Sequence, residues 1–99
     1  MYLYSFEVLP MEKKYEILKG WLQLHRGKDQ IEISIEALEE RLREFDESFS
    51  FPDAAYKHAA WWGNDEGHPQ AKDGWLAAGW KAYPRVENGR VVRVVFRKE

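Results

Sequence analysis

Ninety-nine residues, 44% hydrophobic and 32% charged, suffice for one buried core and are too apolar and too aromatic for a disordered chain. The absence of cysteine excludes disulfides, thiolate nucleophiles and Cys-ligated zinc. A net charge of −2 excludes a protein that coats nucleic acid indiscriminately, which needs a strong positive field.

That average hides an asymmetry. Residues 1–53 hold seven Lys or Arg against twelve Asp or Glu, and residues 54–99 hold eight against five, so the halves carry −5 and +3. An anionic partner would dock on the C-terminal half if anywhere, although composition alone favours the alternative of two mixed, solvated faces. The opening Met1-Tyr2-Leu3-Tyr4-Ser5-Phe6-Glu7 lacks a basic leader region and a long apolar run, so the expected location is the cytoplasm, with no membrane association.

No internal repeat or low-complexity tract divides the chain, which reads as one domain over residues 1–99. Pro10 is placed to open a first helix. Met11, Tyr15, Leu18, Leu22 and His25 follow at helical spacing, Ile17, Trp21 and Leu24 form an adjoining line, and Gly27 ends the helix. Gln30-Ile31-Glu32-Ile33 alternates as a short strand. Ser34 then caps a second helix over 35–45, with Ile35, Leu38, Leu42 and Phe45 facing inward. The other face, Glu36, Glu39, Glu40, Arg41, Arg43 and Glu44, reads as solvated, with helical ion pairs.

Phe49 and Phe51 sit in a loop with their rings tucked inward. Asp53 can cap a third helix over 53–62, and a polar turn, Gly63 to Gly67, follows. Pro69 opens a short fourth helix to Ala78, which Gly74 weakens by roughly 1 kcal/mol relative to Ala. Gly79 closes it. Trp80 to Val86, a turn at Asn88-Gly89, and Arg90 to Lys98 form a hairpin, because Asn-Gly suits the positive φ angles of a two-residue turn. Uniform pairing from that turn opposes Val86 to Val91 and Tyr83 to Val94. It places Tyr83, Val92, Val94 and Phe96 on the core face and Trp80, Arg93 and Arg97 on the outer face.

These elements define an α+β domain of three to four helices with a C-terminal β-hairpin, in the order of a small winged helix-turn-helix. On the third helix Lys57, Trp61 and Asn64 fall on one line. Lys57 suits a phosphate, Asn64 an adenine edge and Trp61 an unpaired base; packing of both indoles in the core is the structural alternative. His58 and His68, with Asp65 or Glu66, lack the spacing of a zinc site, and no metal or other cofactor is expected. No Gly-rich phosphate loop, HExxH or GxSxG run is present, and the reading is non-enzymatic.

The run Lys57-His58-Ala59-Ala60-Trp61-Trp62-Gly63-Asn64, the run Trp75-Leu76-Ala77-Ala78-Gly79-Trp80 and the closing Phe96-Arg97-Lys98 resemble a family of small, uncharacterised bacterial domains. That family carries Lys-His-x-Ala-Trp-Trp-x-Asn, Trp-Leu-x-Ala-Gly-Trp and a final Phe-Arg-Arg. The resemblance covers residues 51–98. This chain differs in having Lys98 in place of the second Arg, and one residue more between Ala71 and Trp75, with Gly74 as the extra. The resemblance implies a stand-alone or fused binding module with Trp61, Trp62, Asn64, Trp75 and Trp80 among its characteristic residues.

The expected function is nucleic-acid binding, DNA before RNA, through the third helix and the hairpin. Lys57, Arg93 and Arg97 would hold phosphates and Trp61 and Asn64 would contact bases, with His68 and Trp80 beside them. The alternative is a protein-interaction module or small inhibitor anchored by exposed Trp and Arg.

Overall fold

The computed structural model describes residues 14–99. Helix α1 (Glu16–Leu24) leads to strand β1 (Gln30–Ser34), helix α2 (Ile35–Arg43) and a five-residue helix α3 (Asp53–Lys57). A 3-10 turn (Ala59–Trp62), a π turn (Ala71–Trp75) and strands β2 (Trp80–Glu87) and β3 (Arg90–Lys98) complete the chain. The class is α+β, with one antiparallel sheet in the order β1-β3-β2. The predicted helix opening at Pro10 and Met11 lies outside the described residues.

The helices pack by the faces that their periodicity dictates. Leu18, Trp21 and Leu22 of α1 and Ile35, Leu38 and Leu42 of α2 are buried, and the Ser34 hydroxyl accepts from Ala37 N at 3.1 Å as the cap of α2. Phe45, read as a core position, lies beyond the end of α2 and is 57% exposed. The acidic face of α2 is only partly solvated: Glu39 accepts from Phe51 N at 2.7 Å and pairs with Arg43, whose Nε donates to Phe49 O. These bonds hold the loop that sends Phe49 and Phe51 into the core.

The third helix stops five residues earlier than its sequence pattern implied, because His58 adopts extended backbone (φ −131°, ψ 116°). Adjacent residues on an α-helix point about 100° apart, and the break changes the directions in which Trp61 and Trp62 leave the backbone. The break lets Trp62 fold back, donate from Nε1 to Ala55 O at 2.9 Å and stack on Trp75 at 5.4 Å. Within the fourth helical segment Leu76 N bonds Ala71 O, five residues back, so this turn takes up one residue more than an α-turn. It coincides with the stretch, Ala71 to Trp75, read as one residue longer than in the resembled family. Gly74 there is buried against α1, where a Cβ would come 3.4 Å from Leu18 Cδ2.

The hairpin turn is the two-residue Asn88-Gly89, both with positive φ. Val86 does oppose Val91, but a bulge between Arg85 and Val86 shifts the rest: Tyr83 opposes Val95, not Val94, and Trp80 opposes Lys98. A one-residue shift exchanges the faces of a strand. Trp80, Ala82, Val94 and Phe96 consequently enter the core, together with Val91, and Tyr83 turns to the outer face. Pro84 is accommodated because β2 is an edge strand and needs no outward N–H there.

Candidate functional site

The described helices cover one face of the sheet; among the described residues no helix stands on the other, here called the open face. On the open face the cross-strand rows are Gln30-Arg97-Lys81, Glu32-Val95-Tyr83 and Ser34-Arg93-Arg85. All of these except Val95, Ser34 and Tyr83 are exposed, and Ser34 and Tyr83 are half-buried. Val95 is fully buried at the centre of an otherwise polar face.

Four cations and one phenol share this surface. Arg97 sits 5.4 Å from the Tyr83 ring centroid and donates from Nε to Gln30 Oε1 at 3.2 Å. Arg93 pairs with Glu32 at 3.1 Å and Lys81 with Glu99 at 3.4 Å. The Tyr83 hydroxyl donates to Glu99 at 2.7 Å. That bond, ahead of the other influences, holds the Tyr83 phenol above its usual range and the Glu99 carboxyl below its own. The Arg85 side chain makes no hydrogen bond or ion pair among the described residues. It lies directly across the strands from Arg93, and like charges so placed destabilise a sheet.

The predicted site residues divide between this face and the core. Arg93 and Arg97 are on the open face. Trp80, expected beside them, is 1% exposed on the opposite side of the sheet, with Lys98 Nζ 5.8 Å from its ring. Lys57 is exposed at the end of α3. Trp61 is half-buried, its ring edge-on to Tyr15 at 6.0 Å, Phe51 at 5.8 Å and Trp62 at 4.8 Å. His68 is half-buried and lies 3.5 Å from Asp65. Among the described residues no three potential metal ligands cluster.

Asn64 is an exposed residue whose amide is engaged by the chain's own groups. Its Oδ1 accepts from Trp75 Nε1 at 2.9 Å and Ala82 N at 2.8 Å, and its Nδ2 donates to Ala82 O at 2.8 Å. An indole nitrogen only donates, which fixes the orientation of the amide. The side chain thus ties the loop to the edge strand and to the aromatic core. With Oδ1 accepting two bonds, the bidentate pairing with adenine expected from sequence is already used up.

No family model, curated protein or solved structure matches the chain. The candidate site therefore rests on its own geometry. Sequence reasoning missed Tyr83, Arg85 and Lys81. The available signal was Val91-Val92-Arg93-Val94-Val95: paired apolar residues on each side of a charge break strict alternation, as a bulged strand does.

Among the described residues no helix is long and apolar enough to cross a membrane.

Proposed function

We propose that this chain is a nucleic-acid-binding module whose contact surface is the open face of the sheet, and that its architecture is winged-helix-like. The chain order of helix, strand, two helices and hairpin, with β1 beside β3, supports the architectural reading. The short α3 departs from that pattern. At about 1.5 Å per residue, its five residues span too little to read a groove as a recognition helix, so the hairpin carries the contact.

The observation that supports binding is the Arg85 guanidinium, which has no ion-pair partner among the described residues and lies opposite Arg93, itself shared with Glu32, with Arg97 and Lys81 on the same face. A phosphate between two guanidinium groups accepts charge-assisted hydrogen bonds from both and relieves their repulsion.

Titration of the purified protein with short oligonucleotides, following fluorescence anisotropy at low salt, tests the reading. Arg85→Glu and Arg93→Glu should each abolish binding, with circular dichroism confirming that the variants fold. If two to three phosphates are neutralised on a single strand, the slope of log K against log salt is about −1.4 to −2. Affinity then falls roughly tenfold between about 50 and 200 mM salt. Absence of binding by the wild-type chain at low salt would sink the proposal.

A protein-interaction module is the second reading, favoured by an apolar groove of about 470 Å³ lined by Ile17, Gly20, Trp21, Leu24 and Phe45. Leu24 and Phe45 there are 70% and 57% exposed. A partner seated in that groove would bind with little dependence on salt and would be lost in Leu24→Glu, not in Arg85→Glu.

A further inference from the structure

We infer that the ligand of the open sheet face is single-stranded RNA, held by a phosphate at Arg85 and Arg93 and by a base on the layer formed by Tyr83 and Arg97. The inference rests on the nucleic-acid reading above and specifies the strand that reading leaves open.

Three features of the face argue for a single strand. First, its middle row holds a half-buried aromatic ring, Tyr83, between two rows that each carry two cations. In a duplex the bases are stacked on each other and present only edges, so a ring on a sheet surface gains contact only with an unpaired base. Second, Arg97 already lies at the Tyr83 ring, 5.4 Å from its centroid. A guanidinium over a phenol ring forms a cation–π layer that a base can extend by stacking. Third, the cations are distributed across β2 and β3, as suits a strand crossing the sheet, and no described helix stands on this face to enter a groove.

The carboxylates favour RNA over DNA. Glu32 and Glu99 stand among the cations, paired to Arg93 and to Lys81 and Tyr83. Each carboxylate keeps lone pairs beyond these pairings, to which a sugar hydroxyl can donate and a deoxyribose cannot. The ribose 2′-hydroxyl supplies a donor next to each phosphate, and this hydroxyl is what lets a protein distinguish the two sugars.

The wild-type chain, Tyr83→Leu, Tyr83→Phe and Arg85→Glu are each titrated with eight-residue oligouridine, oligothymidine and a twelve-base-pair DNA duplex, with thermal melts to verify folding. Oligouridine should bind most tightly. Tyr83→Leu should weaken it about fivefold or more, Tyr83→Phe should retain most of it, and Arg85→Glu should lose it. Duplex bound as well as oligouridine, or Tyr83→Leu without effect while Arg85→Glu still abolishes binding, would overturn the single-strand inference and leave the broader reading standing. Oligothymidine bound as tightly as oligouridine would overturn the assignment to RNA. No binding of any probe by the wild-type chain overturns both readings.

Discussion

Replacing Asn64 by alanine removes three hydrogen bonds at once and leaves three groups behind: Trp75 Nε1–H, Ala82 N–H and Ala82 C=O. Trp75 and Ala82 are 0% and 1% exposed, and a buried polar group left unpaired costs about 1–3 kcal/mol. Asn64 itself is exposed, so water can follow the missing amide and the low end applies, giving about 3 kcal/mol in total. Domains of this size have roughly 5–15 kcal/mol of stability, and each kcal/mol moves Tm by about 4–8 °C. The melting temperature of Asn64→Ala should therefore fall by roughly 12–24 °C, with urea unfolding giving the free energy directly. Asn64→Asp keeps both acceptor roles and loses the donor to Ala82 O. Its deficit against wild type should shrink at low pH, where the protonated carboxyl donates again. A loss below about 1 kcal/mol for Asn64→Ala, with the urea slope unchanged, would refute the bracket as a stabilising element.

Trp62→Ala should cost about 3–5 kcal/mol, since that ring is 1% exposed and stacks on Trp75; urea unfolding measures it. Gly79 has φ +88°, and Gly79→Ala should destabilise by about 1–2 kcal/mol in the same assay because the left-handed region penalises a Cβ. Burial, followed by the Glu39 carboxylate, pushes the Tyr56 phenol up to about 12. A raised phenol favours the folded state below about pH 10, and that contribution is lost as pH rises through the folded value. The difference in phenolate absorbance between wild type and Tyr56→Phe should show this late titration. Glu39→Gln should lower it without restoring the ordinary value, because burial is the larger cause.

Local signals were legible wherever the chemistry is local. Ser34 as cap, Asn88-Gly89 as turn, and the buried lines Leu18-Leu22 and Ile35-Leu38-Leu42 all hold in the structure. Each depends on a side chain within a few residues, or on a period that one helix imposes by itself. Phe49 and Phe51 were likewise legible as inward rings.

The candidate site was not, and a single bulged residue is the reason. The sequence determined that β2 and β3 pair across Asn88-Gly89, and that arginines line one side of β3. Only the tertiary structure decided which aromatic ring joins them. Packing against the helices draws both Val91 and Val94 into the core, which strict alternation forbids, and the bulge between Arg85 and Val86 resolves the conflict. That shift turns Trp80 inward and Tyr83 outward. The same competition for burial broke the third helix at His58, so that Trp62 could fill the core and Asn64 could close over it. Residue types specified the turns and the apolar stripes, whereas the choice between two faces depended on the shared core, which no single segment contains.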